Sequence, residues 1–201
     1  MSDHYYSKKP EGKEKLSTWE TKLNNESYTF TTSSGVFSKH EVDFGSRLLI
    51  ETIKKPDIQA PILDLGCGYG PIGLSLARKY PKDCVQMLDI NERAVKMAKL
   101  NAEKNQIKNV AIKQSDGFQA INEDERFSLI VTNPPIRVGK KVMYALLEKS
   151  KEFLVQNGEL WLVIQKKQGA PSAIKFLEEH FTLVNVEARK KGYFIIRAVN
   201  N

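Results

Sequence analysis

Apolar residues along this chain alternate between two spacings. Short apolar runs occur at residues 61–65 (P-I-L-D-L), 84–89 (C-V-Q-M-L-D), 110–113 (V-A-I-K), 127–132 (F-S-L-I-V-T) and 160–165 (L-W-L-V-I-Q). Their length and branched side chains suit buried strands. Between them, apolar positions return every three or four residues from Ile72 to Tyr80, Glu92 to Asn105, Lys140 to Val155 and Ala173 to His180, as in helices with one buried face. Strands alternating with helices imply parallel pairing through right-handed crossovers. The expected fold is therefore α/β, a Rossmann-like doubly wound sheet with helices on both faces. The last two runs, L-V-N-V-E-A and Y-F-I-I-R-A-V, are separated only by Arg189 to Gly192. That gap is too short for a crossover helix, so the final strand should return antiparallel beside its predecessor. The result is a mostly parallel, seven-stranded sheet with an antiparallel last strand.

Upstream, W-E-T-K-L and Y-T-F-T-T flank Asn24 and Asn25 within Trp19 to Thr32 and predict a short β-hairpin. From Asp43 to Lys55, Phe44, Leu48, Leu49 and Ile53 fall at helical spacing until Pro56 stops the pattern. The chain thus divides into a flexible basic tail (1–18), a hairpin and helix packed on the main domain (19–56), and the main domain itself (57–201). No internal repeat is present.

Composition narrows the class. A chain of 201 residues with 41% hydrophobic and 27% charged positions suits one globular domain. No apolar run nears the roughly 18 residues of a membrane span, and the polar start carries no export signal, so a cytoplasmic enzyme without membrane attachment is expected. With 2 cysteines and 3 scattered histidines, neither a disulfide framework nor a metal site is expected. The 31 Lys and Arg against 24 Asp and Glu leave +7. This balance suits a polyanionic partner and equally a plain basic enzyme. Basic residues gather at Lys8 to Lys15, Arg137 to Lys141, Lys166 to Lys167 and Arg189 to Lys191.

The chemistry concentrates at strand ends. D-L-G-C-G-Y-G, Asp64 to Gly70, sits at the first strand-to-helix turn, where open α/β sheets bind ligands. Gly66, Gly68 and Gly70 let the backbone approach a ligand closely. The tight G-x-G-x-G spacing differs from the dinucleotide fingerprint and fits a ligand without phosphate, with Asp64 beside a cationic amino-acid moiety. Asp89 follows at the second strand's end, 23 positions after Gly66, placed to accept from both ribose hydroxyls of an adenosine or, as the plainer reading, to cap the helix from Asn91. In Q-S-D-G-F after the third strand, Asp116 is a candidate acceptor for an adenine amino group, with Ile90 or Phe118 against the ring. N-P-P-I, Asn133 to Ile136, follows the fourth strand directly.

At that motif the chain resembles the amino-methylating branch of class I S-adenosylmethionine-dependent methyltransferases. The resemblance implies S-adenosyl-L-methionine as cofactor, held by Asp64, Gly66, Gly68, Gly70, Asp89, Ile90 and Asp116. It also implies a catalytic loop of Asn133, Pro134 and Pro135, with Asn133 bordering the cofactor as well. In that branch the Asn oxygen and the first proline's carbonyl accept the hydrogens of a planar NH2 and favour the pyramidal nitrogen that attacks the methyl. G-V-F-S and D-F-G-S-R-L-L, within Gly35 to Leu49, together with N-G-E-L-W-L-V and K-K-G-Y-F, narrow the likeness to ribosomal RNA guanine-2-amino methyltransferases. There Phe37 and Asp43 would help close the cofactor site, and ribosomal RNA or a ribosomal subunit would be the partner. Ile136 stands where an aromatic residue is usual, so it can pack against a base but not stack on it. Arg137, Lys140, Lys166 and Lys167 are the expected RNA contacts. Rival readings are a protein glutamine methyltransferase and a non-catalytic RNA-binding or ribosome-assembly factor that keeps the fold. DNA base modification is poorly served by a chain without a target-recognition domain.

Overall fold

A computed structural model describes residues 15–33, 41–134 and 139–201. Strands β1 (Leu16–Leu23) and β2 (Glu26–Ser33) form the N-terminal hairpin, followed by α1 (Phe44–Thr52). The main sheet alternates β3 (Ile62–Leu65), α2 (Pro71–Lys79), β4 (Val85–Asp89), α3 (Glu92–Lys104), β5 (Val110–Gln114) and β6 (Phe127–Thr132). It continues through α4 (Lys140–Glu152), β7 (Leu154–Gln165), α5 (Ala170–His180), β8 (Leu183–Lys190) and β9 (Tyr193–Val199).

The 7-stranded sheet has the order β5-β4-β3-β6-β7-β9-β8. Strands β3 to β7 pair in parallel, and β9 lies antiparallel between β7 and β8. The doubly wound sheet with an antiparallel last strand is thus as the sequence predicts. Two apolar layers cover its faces. One packs the hairpin, α1, α2 and α3 around Leu49, Leu74, Met87 and Ala98; the other packs α4 and α5 around Leu147, Leu160 and Leu177. No helix among the described residues is long and apolar enough to cross a membrane.

The hairpin is held by polar contacts as well as by its buried Phe30. Along α3 the side chains of Asn101 and Asn105 behave like a neighbouring strand. Asn101 Oδ1 accepts from Thr31 N (2.7 Å) and its Nδ2 donates to Thr31 O (2.9 Å), while Asn105 does the same for Thr29 (2.9 and 2.8 Å). An outer strand edge that would otherwise stay unpaired is thereby satisfied.

Three boundaries differ from expectation. Thr18 pairs with Thr31 in β1, so pairing begins inside the stretch read as tail. Helix α4 stops at Glu152 rather than Val155, because Leu154 already pairs with Phe127 before a register shift in β7. Gly158 lies within that shift in a space too tight for a side chain, since a Cβ there would lie 2.9 Å from Val155 O. Helix α5 starts at Ala170, three residues earlier than its apolar period indicates, with Gly169 in the left-handed region and Pro171 in its first turn.

Candidate active site

The strand order reverses at β3, which lies between β4 and β6. The loops leaving these three strands therefore open into one crevice. The loop after β3 is pinned at its start, where Gly66 N and Cys67 N both donate to Leu88 O, at 2.8 and 2.9 Å. Gly66 and Gly68 have φ of +77° and +58°, and nothing lies within 4 Å of where their Cβ atoms would be. Bare backbone thus borders open volume, as a closely approaching ligand needs.

Asp89 closes the other side of this loop. Its Oδ2 accepts from Gly68 N and its Oδ1 from Asn91 N, both at 2.8 Å. Capping of α3 falls to Asn91 instead, whose side chain accepts from Arg93 N and Ala94 N. Asp89 is half-buried at the loop, with a second lone pair on each oxygen. Burial raises its carboxyl above the usual range, against the lowering effect of the N–H groups of Asn91 and Gly68.

Asp64 lies deeper, 1% exposed. Its Oδ2 accepts from Gly73 N at 2.7 Å, while its buried Oδ1 has no hydrogen-bond partner. Burial raises its pKa to about 7; the Gly73 N–H opposes the shift and the charge of Asp89 adds to it. Gly73 is required for this contact, since a Cβ would come within 2.8 Å of both Asp64 Oδ2 and Met87 Cγ. Gly68, Gly70 and Gly73 also spell G-x-G-x-x-G, a second spacing overlapping Gly66-Gly68-Gly70. The geometry nevertheless disfavours a pyrophosphate. Pro71, in the first turn of α2, has no N–H, and the Gly73 N–H is committed to a carboxylate, so two of the first-turn positions that would cradle phosphate offer it no donor. An unpartnered buried carboxylate oxygen calls for a cationic donor.

Asn133 follows β6, whose last residue is tied to β3 by Thr132 Oγ1 donating to Leu65 O at 2.7 Å. The Asn133 Nδ2 donates to Ser46 Oγ at 3.0 Å and toward Asp43 Oδ1 at 3.4 Å. Asp43 caps α1, its Oδ1 accepting from Ser46 N at 3.0 Å. With its N–H groups occupied by α1, the amide presents Oδ1 as acceptor, and no donor among the described residues reaches it. Pro134 behind it is buried. Pro135, Ile136, Arg137 and Phe37 lie outside the described residues.

Other candidates spread along the same edge. Ile90 is half-buried beside Asp89, its carbonyl accepting from Gln114 Nε2 at 2.9 Å. Asp116 is exposed in the loop after β5. Phe118 turns away from that loop: it is buried and lies parallel to Phe153 at 4.6 Å, in the layer under α4. It is a core residue, leaving Ile90 as the apolar surface beside Asp89. Lys140, Lys166 and Lys167 are exposed; Lys140 Cε comes within 3.6 Å of the Gly169 Cβ position, next to the turn holding the other two. Among the described residues no three His, Cys, Asp or Glu side chains gather as a metal site.

Besides Gly73, two contributors escaped the sequence reading. Ser46 is hidden because its role is set by Asn133, 87 residues further along the chain, rather than by any local pattern. Asn101 left a signal: it interrupts the apolar stripe Ala94, Met97, Ala98 and Ala102 on the buried face of α3. Its Nδ2 also donates to Tyr69 O at 2.8 Å, inside the glycine loop.

Residues 27–197 match the methyltransferase small domain family. The chain is 58% identical over 198 residues, 98% of both chains, to the uncharacterized protein YbxB of Bacillus subtilis. It is 34% identical to the ribosomal RNA small subunit methyltransferase C of Haemophilus influenzae strain Rd, over 88% of this chain and 52% of that protein. A T. Thermophilus 16S rRNA N2 G1207 methyltransferase (RsmC), solved in complex with AdoMet and guanosine, superposes with a TM-score of 0.83 at 28% identity, covering 92% of this chain and 51% of that one. The chain therefore spans about half the length of the methyltransferase C relatives it matches.

Proposed function

The chain belongs to the methyltransferase small domain family, and we propose that it methylates an exocyclic amino group of a base in RNA, guanine in ribosomal RNA, with S-adenosylmethionine as methyl donor. One observation carries this reading: the Asn133 amide nitrogen is held by Ser46 and Asp43, which leaves its oxygen as an acceptor with no donor among the described residues. An acceptor held in this way suits an N–H donor and offers nothing to a carbonyl or phosphate oxygen.

S-adenosylmethionine supplies an electrophilic methyl on a sulfonium. The residues of the chain fit such a molecule. Asp89 is available to ribose hydroxyls through its remaining lone pairs, Asp64 offers an unpartnered oxygen to an ammonium, Gly66 and Gly68 leave room, and Ile90 provides an apolar face. Asp116 is the proposed partner of the adenine amine. Asn133 Oδ1 and the Pro134 carbonyl accept the hydrogens of the target NH2 and draw its lone pair out of conjugation, which stabilises the pyramidal nitrogen of the transition state more than the planar ground state. Lys140, Lys166 and Lys167 meet phosphates of the same strand.

Nucleoside mass spectrometry of ribosomal RNA from a strain lacking the gene tests the reading. The expected result is loss of one N2-methylated guanosine, restored by the purified protein and S-adenosylmethionine. An unchanged nucleoside profile together with methylation of a protein glutamine would replace it.

A further inference from the structure

The turn between β8 and β9 carries a basic cluster that the proposed function does not use. Because β9 runs antiparallel to β7, Tyr193 pairs with Gln165. The turn at Lys190, Lys191 and Gly192 therefore stands on the sheet edge where β3, β6 and β7 end, the edge of the crevice. Backbone fixes it there: Lys166 N donates to Gly192 O at 2.8 Å. On its other side the turn leans on α1. The Tyr193 and Phe44 rings lie 5.4 Å apart, and Lys191 Nζ sits 4.9 Å from the centre of the Phe44 ring. At Gly45 a Cβ would lie 2.8 Å from Tyr193 Cε1, so only glycine lets the ring close on the helix. Phe44 and Gly45 stand between Asp43 and Ser46, the two residues that hold the Asn133 amide. The basic turn is thus built onto the segment that orients the acceptor.

Among the described residues the charges there have no ion-pair partner. Lys140, Lys166, Lys167, Lys190 and Lys191 line this edge, and residues 139–141, 166–169 and 189–193 include no Asp or Glu. Several cations elsewhere have fixed partners: Arg47, Arg78 and Lys79 bond backbone oxygens, and Lys55 pairs with Asp83. A row of ammonium groups without acidic partners repels itself and destabilises the fold, and a polyanion laid along it relieves that cost. The ring under Lys191 holds the ammonium in place without using up its N–H donors.

We propose that the β8–β9 turn, through Lys190 and Lys191, is a phosphate-binding element that grips the RNA strand beside the target nucleotide, extending the basic edge formed by Lys140, Lys166 and Lys167. It rests on the reading of the site as one for an RNA base.

The test is methyl transfer to ribosomal RNA from a strain lacking the gene, with KM for RNA measured against salt. In Lys190→Glu/Lys191→Glu the log–log salt slope should fall by about 1.4, two contacts at roughly 0.7 each, which at about 0.15 M salt corresponds to a KM about tenfold higher. The kcat at saturating RNA and S-adenosylmethionine affinity should stay as in the wild type. A matched reversal on the opposite edge, Lys82→Glu/Lys108→Glu, should leave the slope alone. Lys190→Gln/Lys191→Gln provides the same comparison if the reversed turn misfolds. A wild-type slope in the turn variants, or an equal fall in both reversed pairs, overturns the proposal while leaving the RNA reading intact. A wild-type protein that methylates no RNA, or whose KM ignores salt, overturns both.

Discussion

Asp64 makes a prediction with a definite sign. Its carboxyl has a pKa of about 7 in the folded chain against 3.8 ordinarily, mainly because it is buried. The folded state therefore binds a proton more tightly than the unfolded state. This group's penalty is absent below about pH 4, grows as pH rises, and is complete above about pH 7. About 3 pH units at 1.36 kcal/mol each give on the order of 4 kcal/mol of stability lost across that window. Asp64→Asn removes the titration while keeping an oxygen for the Gly73 N–H. The assay is urea unfolding of both proteins without cofactor between about pH 4 and pH 8. The difference between them should drift toward the variant by several kcal/mol as pH rises, with the change concentrated below pH 7. A cationic ligand beside the unpartnered oxygen would favour the ionised form, so wild-type affinity for S-adenosylmethionine should rise through the same range and that of the variant should be weak and flat. A stability difference independent of pH would refute the buried, unpaired state argued for Asp64.

Asn133→Ala should cut single-turnover methyl transfer roughly 10²–10³-fold with cofactor affinity nearly unchanged; Ser46→Ala, which removes one partner of the amide, should cost about fivefold, the worth of one neutral hydrogen bond, and Ser46→Thr should restore it. Rates within a few-fold of wild type for Asn133→Ala would make it a structural turn residue. Asp89→Ala should weaken S-adenosylmethionine binding by about 1.5–3 kcal/mol in calorimetry, and unchanged affinity would remove Asp89 from the site. Asn101→Ala should cost about 3 kcal/mol in denaturant unfolding, because Thr31 N, Thr31 O and Tyr69 O all lose a partner; it should also weaken cofactor binding. Asn105→Ala, which touches the hairpin and not the glycine loop, should cost stability alone.

What the sequence made legible follows the range of the interactions involved. Strand and helix periods are local, so the alternation from Ile62 to Val199 and the antiparallel end could be read directly. The Arg189 to Gly192 connection was decisive because its shortness is a local fact with a topological consequence. The glycine loop and Asp89 were legible for the same reason, each falling at the end of a strand that the pattern already located. Sequence left Ile90 and Phe118 as alternatives because it places Phe118 beside Asp116 but does not tell which way the ring turns; its partner, Phe153, comes from the far end of α4. Ser46 had no local signature, and Gly73, although it completes a G-x-G-x-x-G spacing, matters through a side chain on another element that the spacing does not show.

Those hidden contacts change the standing of the N-terminal segment. Residues 19–56 read as an appendage to the main domain, because a hairpin and a short helix lie outside the strand–helix alternation. In the folded chain, however, α1 supplies the two oxygens that orient the Asn133 amide, and Asn101 bridges β2 to Tyr69 in the glycine loop. Backbone alone would leave the amide free to rotate by half a turn, presenting NH2 in place of oxygen to the crevice. A donor there would face the hydrogens of an amine and oppose its approach. The segment that looked accessory is therefore what gives the loop after β6 its chemical direction, and the same short helix fixes the basic turn through Phe44 and Gly45. If the site takes an amine on an RNA strand as proposed, recognition of the amine and grip on the strand would both depend on one element, so loosening α1 should impair both together while the sheet and its glycine loop remain folded.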